Sequence, residues 1–469
     1  MPDSVWAPKD DPVHRERWRD AWPEATVAGF GRVAAEPGVR LGVGLSPGLD
    51  VDGASAADRA TLGDKALRAV DAGAGLVVLC LDDIPDRPGL GEEHAALTAD
   101  LWERLDGRAA LALVPTQYVG MRSTPYLAAL AAGVPDEVPI GWTGRAVVND
   151  EITAAQAAER AVAVGGRAPL LWDNVPVNDA IMSDRLFLGP LRGREPGLVA
   201  ALGGYLGNAM VQPRASTLPL ASTAAWLRGE DPAAAWARTA DDLGWRVLAE
   251  ACDGGVPRAL VAVLAATVSG PSWAGAGAAL GSWLASAAEV AAPGLEEEAG
   301  PWLEQVREEA EVGRAALELL AATRPALRVG TDGRGRAVAP TDVGALLAAF
   351  GVMGRWPAAR RSAVSVMGVR CGFRPALGQA ADGSWSLLPG LLEEDRNAVD
   401  ALVRLAVAEA TAGPPAEPLV VTVDGAPVEV APDGTFTAPP GSHVEARCDR
   451  VATGGRTPFD PPVRDRRLR

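Results

Sequence analysis

Two adjacent carboxylates close the run Leu79-Cys80-Leu81-Asp82-Asp83-Ile84, an apolar segment of the kind that forms a buried strand. At the carboxyl end of a parallel strand such groups stand where helix-covered barrels collect their catalytic residues. Neighbouring carboxylates can divide acid and base roles, because proximity and burial push their pKa values apart. Glycoside cleavage requires that division. One group must be protonated to expel the leaving oxygen, and another charged to stabilise positive charge at the sugar. Taken alone, the pair reads equally as a solvated strand end or a helix cap. Adjacency adds a constraint. When a retaining glycosidase supplies its own nucleophile, the two carboxyls flank the sugar roughly 5 Å apart, an arrangement that sequence neighbours do not naturally provide. A nucleophile from the substrate, through a 2-acetamido group, is then the alternative.

Three later clusters carry sugar-binding chemistry: Val114-Pro-Thr-Gln-Tyr118, Trp142-Thr-Gly144, and Leu171-Trp-Asp-Asn174 with Asn178-Asp179 just beyond. Each by itself is ordinary, since tryptophan is commonly core and Asn or Asp commonly makes turns. Together they describe a pocket in which an aromatic wall meets the apolar face of a pyranose and Asp or Asn pairs with its hydroxyls. Other chemistries find little support. The histidines, His14, His94 and His443, are isolated from one another, so neither a metal site nor a Ser-His-Asp triad is indicated. Gly42-Val-Gly44 lacks the third glycine of a dinucleotide loop, and no phosphate-binding loop is present. No metal or cofactor is expected. The four cysteines, Cys80, Cys252, Cys371 and Cys448, lack CxxC spacing and read as scattered thiols.

The elements that must position these residues alternate. Strand-like runs fall near 5–7, 39–45, 76–82, 109–115, 137–142, 168–173 and 186–189. Helical patterns such as Asp58–Val70, Glu92–Leu105 and Ala154–Val164 lie between most of them. A βα rhythm of this count and spacing predicts an α/β fold of the TIM (β/α)8 barrel type rather than a doubly wound sheet. Eight strands are required and seven are legible, so the first strand is expected to be missing. Either the true start lies upstream, or the barrel is left with an open edge.

After about residue 230 the pattern turns to Ala- and Leu-rich helices, at Pro232–Ala251, Pro257–Val268, Ser282–Val290 and Glu296–Ala322. A break at Gly330–Arg336 precedes further helices at Asp342–Phe350, Trp356–Met367 and Glu394–Ala410. A Pro/Gly linker, Thr411–Pro418, leads to short alternating runs at Leu419–Val423, Val428–Val430 and Val444–Ala446 and a basic end, Arg464–Arg469. The expected domains are 1–229, a catalytic barrel; 230–411, a helical region; and 419–469, a small β-rich appendage with a tail.

At 469 residues the chain can hold two or three domains. A formal charge of −16 argues against nucleic acid, anionic membranes and polyanionic sugars as partners, because like charges repel. A neutral glycan suits it better, which also disfavours hyaluronan. No apolar run approaches the roughly 20 residues of a membrane span, and the start Met1-Pro-Asp-Ser-Val-Trp-Ala-Pro8 lacks a secretion signal, so a cytoplasmic protein is expected.

In order along the chain, Trp6–Arg19, Leu45-Ser-Pro-Gly-Leu-Asp50, Leu81-Asp-Asp-Ile84, Pro115-Thr-Gln-Tyr118, Trp142-Thr-Gly144 and Trp172-Asp-Asn174 resemble the motifs of glycoside hydrolase family 84, the O-GlcNAcase and hyaluronoglucosaminidase group. The resemblance covers roughly residues 5–227. It implies a β-N-acetylglucosaminidase acting on a GlcNAc-containing glycoconjugate. Catalysis would be retaining and substrate-assisted, through an oxazoline intermediate. By resemblance, Asp82 orients the acetamido N–H, and Asp83 protonates the leaving oxygen and then activates water. Tyr118 hydrogen-bonds the acetamido oxygen, Lys9 and Asn174 line the sugar, Asp179 and Asn208 hold its outer hydroxyls, and Trp172 forms part of the wall. Two departures stand out. The family's first strand, with its Gly-Phe-Tyr-Gly type ending, has no counterpart, which predicts a start upstream, where a secretion signal would also lie. Gln117 stands where the family usually has Glu. The missing strand leaves a second reading, a catalytically inactive GlcNAc-binding protein.

Overall fold

The structure is a computed structural model that describes residues 3–253 and 273–323 and, beyond them, separate stretches between 351 and 447. The chain divides into two compact units: residues 1–175, 191–208 and 226–229 form the first, and 176–190, 209–225 and 230–469 the second.

In the first unit strands and helices alternate: β1 (Asp3–Trp6), α1 (Glu24–Ala34), β2 (Arg40–Leu45), α2 (Ala56–Asp71), β3 (Leu76–Cys80), α3 (Leu90–Leu105), β4 (Ala110–Val114), α4 (Pro125–Gly133), β5 (Gly141–Trp142), α5 (Ala154–Ala163), β6 (Leu170–Asp173) and β7 (Gly204–Gly207). The strands form two parallel sheets, β1-β2-β3-β4 and β5-β6-β7, and a parallel bridge between Leu113 and Ile140 lies between them. The fold is therefore α/β with parallel strands in sequence order. No pairing of β7 with β1 is found among the described residues, so no closed barrel is seen.

β3 shows why the sequence folds this way. All of its residues, Leu-Val-Val-Leu-Cys, are buried, as parallel strands covered on both faces require. Successive side chains point to opposite faces. Val77 and Leu79 join a cluster with the outer helices, including Leu62, Leu97 and Leu101, while Leu76, Val78 and Cys80 join Ala112, Val114 and Leu170 on the other face. Each fully buried Leu or Val contributes about 1.5–3 kcal/mol, so the alternation fixes register and the ends of the strands with it. Helix starts are set locally. Ser55 caps α2 by accepting from Asp58 N, Thr124 caps α4 with Pro125 behind it, and Thr153 with Gln156 forms a capping box on α5.

One expected strand is misplaced. Residues 186–189 form no strand; β7 lies at Gly204–Gly207 instead. Leu186 and Leu188 are apolar because they belong to the core of the second unit, with Leu218, Trp236, Leu280 and Leu303. The real strand, Gly-Tyr-Leu-Gly, is masked by glycines that lower strand propensity and is formed by pairing with β6.

Among its described residues up to 323 the second unit carries most of α6 (Pro213–Leu227), whose last two residues count with the first unit, then α7 (Pro232–Asp242), α8 (Arg246–Ala251), and helices Trp273–Ala288 and Glu296–Thr323. The expected helix Pro232–Ala251 is two, broken where Gly244 adopts φ +70°. The end of the expected helix Trp356–Met367 is non-helical, with Ser365 bridged to Arg185 and Met367 at φ +60°. A hairpin, β8 (Arg374–Gln379) with β9 (Trp385–Gly390), lies inside the stretch read as helical, and β12 (Thr435–Phe436) pairs with it. A three-stranded antiparallel sheet follows from β10 (Val420–Val423), β11 (Ala426–Val428) and β13 (Val444–Arg447). The readings at Pro257–Val268, Gly330–Arg336, Asp342–Phe350, Thr411–Pro418 and Arg464–Arg469 lie outside the described residues.

Candidate active site

Asp82 and Asp83 stand just past the end of β3, where Leu81 N still donates to Val114 O of β4 at 2.8 Å. There the backbone turns sharply: Asp83 adopts φ +55°, a left-handed conformation that non-glycine residues seldom take. The turn aims both carboxylates at one point. Lys9, on the loop after β1, donates to Asp82 Oδ2 at 2.7 Å and to Asp83 Oδ2 at 2.5 Å. Tyr118, on the loop after β4, donates its hydroxyl to Asp83 Oδ1 at 2.8 Å, and Arg15 Nη2 donates to the Asp83 carbonyl at 3.2 Å. Thr116 Oγ1 donates to the Leu81 carbonyl at 2.7 Å and ties the Tyr118 loop to the residue preceding the pair. The pair differs in environment. Asp82 is 8% exposed and its Oδ1 is buried with no partner, while the Asp83 side chain is 42% exposed.

Charges follow from this arrangement. Burial tends to raise the Asp83 carboxyl, but the hydrogen bond and charge of Lys9, then Tyr118 and Arg15, outweigh it and hold the group below the usual carboxylate value. Burial disfavours the Lys9 ammonium, yet the charge and hydrogen bond of Asp82, and those of Asp83, raise its pKa overall. Burial and the Asp83 carboxylate push the Tyr118 phenol up to about 12, so it stays a donor at neutral pH.

A second group of the expected residues lies at the ends of β6 and β7. Asn208 Nδ2 donates to Asn174 Oδ1 at 2.9 Å, and Asn174 Nδ2 donates to the Val147 carbonyl at 2.8 Å. Trp172 and Tyr118 both pack against the inner cluster of Cys80, Val114 and Leu170. The structure therefore brings Lys9, Asp82, Asp83 and Tyr118 into direct contact and joins Asn174 to Asn208. It does not do this for Asp179, which is exposed and belongs to the second unit. Its neighbour Asn178 is buried and structural: it donates to the Arg185 carbonyl and Gln212 Oε1 and accepts from Val211 N. Gln117 donates to Asp86 Oδ2 at 2.6 Å, a bond that a glutamate could not donate.

Sequence reasoning missed several supporting residues. Asp173, read only as part of the Trp-Asp-Asn motif, is buried and holds Arg194 bidentately at 2.8 and 2.7 Å while accepting from the Tyr205 hydroxyl. Arg160 and Lys65 are buried cations in outer helices. Lys65 carried a signal: it and Lys9 are the only lysines in the chain, whose Lys and Arg total 44. A lysine presents three donors from one compact ammonium, which a planar guanidinium does not reproduce. Among the described residues no cluster of three His, Cys, Asp or Glu could hold a metal ion. No helix among them is long and apolar enough to cross a membrane.

The part of the chain that carries these residues is similar to known proteins. A family model described as beta-N-acetylglucosaminidase matches residues 1–252. The protein O-GlcNAcases of Rattus norvegicus and Mus musculus are each 28% identical over 242 residues, 48% of this chain and 26% of theirs. The chain thus spans about a quarter of the length of these curated relatives. A mutant form of the O-GlcNAc hydrolase of Thermobaculum terrenum superposes with a TM-score of 0.68 at 20% identity, covering 87% of this chain and 88% of that one, which shows a shared fold. With more than half of its length matched by the family model, and with its clustered carboxylates inside the matched part, this chain belongs to the beta-N-acetylglucosaminidase family, glycoside hydrolase family 84.

Proposed function

We propose that this chain hydrolyses terminal β-linked N-acetylglucosamine from a glycoconjugate by substrate-assisted, retaining catalysis. The observation that carries this reading is the cluster of Asp82, Asp83, Lys9 and Tyr118 at the carboxyl end of β3. The unpartnered Asp82 Oδ1 is a preorganised acceptor for the acetamido N–H, and that contact raises electron density on the acetamido oxygen. This oxygen attacks the anomeric carbon and the glycosidic C–O bond breaks, with Asp83 giving its proton to the leaving oxygen. The oxazoline so formed, with the former acetamido N–H proton shared between its nitrogen and the Asp82 carboxylate, is opened by water, whose proton returns to Asp83, and retention results from two inversions. Tyr118 directs its hydroxyl at the acetamido oxygen. Trp172 supplies the apolar wall, and Asn174 and Asn208, with Lys9, bind hydroxyls. Asp179 is proposed for an outer hydroxyl on the resemblance alone.

The scaffold for this chemistry is read as a (β/α) barrel, supported by parallel strands in sequence order and by the inner cluster drawn from β3, β4 and β6. The proposed domain division is a catalytic region over 1–229, a region over 230–411 that is helical apart from the β8–β9 hairpin, and an appendage from 419. Release of p-nitrophenol from p-nitrophenyl β-N-acetylglucosaminide tests the function. The expected result is turnover that Asp83→Asn reduces by roughly 10²–10⁴-fold; equal rates in the folded parent and variant would overturn it.

A second reading, GlcNAc binding without turnover, draws on the contact between Lys9 and both carboxylates, since an acid held ionised has no proton to give. Calorimetric binding of a GlcNAc-thiazoline with no turnover of the folded chain would favour it.

A further inference from the structure

Two buried cations on outer helices share an unusual property. Lys65 of α2 donates to three backbone carbonyls, Val13 O at 2.6 Å, Trp18 O at 2.7 Å and Asp20 O at 2.8 Å, and its ammonium lies 4.1 Å from the Trp22 ring centroid. Arg160 of α5, 1% exposed, donates to Gln117 O at 2.8 Å and Gly120 O at 3.3 Å. Among the described residues neither has a carboxylate within ion-pair distance. A buried charge with no carboxylate in contact is costly. Asp20 and Asp11 support Lys65 only from farther off, and carbonyl dipoles make the direct contacts to both cations. An α-helix offers many cheaper residues at such positions. The carbonyls they hold belong to the two loops that reach the proposed acid.

The connections can be followed atom by atom. The Lys65 segment contains Arg15, which donates to the Asp83 carbonyl, and follows closely on Lys9, which donates to the Asp83 carboxylate. The Arg160 fork straddles Tyr118, which donates to Asp83 Oδ1. Trp142 Nε1 donates to the Gly120 carbonyl as well, at 2.9 Å, so that loop is braced from two sides. Asp83 itself sits at φ +55°, a conformation that persists only where its surroundings over-determine it. Donor geometry matches each role. An ammonium directs three donors tetrahedrally and suits three converging carbonyls, whereas a planar guanidinium suits two carbonyls along one loop.

We propose that Lys65 and Arg160 are positioning residues that clamp the Arg15 and Tyr118 loops by their carbonyls and so fix the place of Asp83. This rests on Asp83 being the acid, and the test keeps the two claims apart. The variants are Lys65→Arg and Arg160→Lys, which keep the charge and lose the geometry, with Lys65→Met and Arg160→Met as second variants. Each is made in the parent chain and in a Tyr118→Phe background, and each is checked for folding by thermal unfolding.

On p-nitrophenyl β-N-acetylglucosaminide, folded Arg160→Lys is expected to lose tenfold or more in kcat with KM changed by under threefold. In the Tyr118→Phe background that loss shrinks to under twofold, because the residue it positions has already lost its function. Lys65→Arg keeps its loss in that background, since it acts through the other loop. A purely structural role would give the same loss in both backgrounds for Arg160→Lys, and that result would overturn the proposal. Asp83 titration, followed by carboxyl carbon NMR with Asp83→Asn as the assignment, needs no turnover. Release of Tyr118 or Arg15 should move it to higher pH in both charge-conserving variants. An unmoved titration in folded variants would also overturn the proposal. A parent chain without Asp83-dependent turnover would instead refute the catalytic reading, and the titration would still decide the clamp.

Discussion

Asp83 occupies a left-handed backbone conformation that costs a non-glycine residue about 1–3 kcal/mol, and it accepts hydrogen bonds from Lys9, Tyr118 and Arg15. Lys9 is the residue that ties the two carboxylates together. It lowers the Asp83 pKa, so its removal should raise that pKa and move the alkaline limb of kcat/KM, where the acid loses its proton, to higher pH. Lys9→Met is therefore expected to shift that limb upward by one pH unit or more while lowering the plateau, read from initial rates between pH 4 and 9. A limb that stays in place would show that Lys9 does not set the protonation of Asp83. At this scale the sequence was informative wherever residue type and chemistry coincide, as in Asp82-Asp83 and Tyr118. Arg160 was not legible, because an arginine at a helical position reads as a solvated charge until the fold buries it.

The elements deliver these residues by close packing of strands and loops. Gly44 of β2 shows how tightly: a Cβ placed there would lie 2.6 Å from Ala7 Cβ and 3.1 Å from His14 Cε1. Ala7 has no flexible end to move aside, and it lies two residues before Lys9. Gly44→Ala is expected to lower stability by about 1–3 kcal/mol, the usual cost of overpacking, read as a lower urea midpoint; an unchanged midpoint would show that the loop yields freely. The helices over Asp58–Val70, Glu92–Leu105 and Ala154–Val164 were legible because helix propensity and an apolar stripe agree there, and the observed α2, α3 and α5 include those ranges to within a residue. The seventh strand was not. Leu186-Phe187-Leu188 has the composition of a strand but packs in the second unit, whereas Gly204–Gly207 is a strand because β6 pairs with it.

Across the whole molecule the two units share the chain rather than divide it at one point. Leu186, Leu188, Met210 and Leu218 belong to the core that contains Trp236, Leu280 and Leu303. A fragment ending at Gly229 would leave the earlier residues without that core, and it is expected to bind an apolar dye strongly and precipitate; a soluble, cooperatively melting fragment would contradict this. Buried histidines set an acid limit. Burial, which disfavours the charged form, takes His14 and His94 from 6.5 down to about 4. Since their folded pKa values are depressed, the stability they contribute is complete above pH 6.5 and is lost as pH falls towards 4, at most about 3.5 kcal/mol each at 1.4 kcal/mol per pKa unit. The melting temperature should fall over that window, and less steeply in His94→Gln; parallel slopes would remove His94 from the account. By itself the sequence determined the α/β rhythm, the family and the carboxylate pair, because periodicity and reactive residue types are local properties of a chain. Only the tertiary structure decided that Lys9 bridges both carboxylates, that Lys65 and Arg160 hold the loops around Asp83, and that 186–189 belongs to another core. Those contacts join residues tens of positions apart, and burial, which gives a charge its role, exists only once the chain has folded.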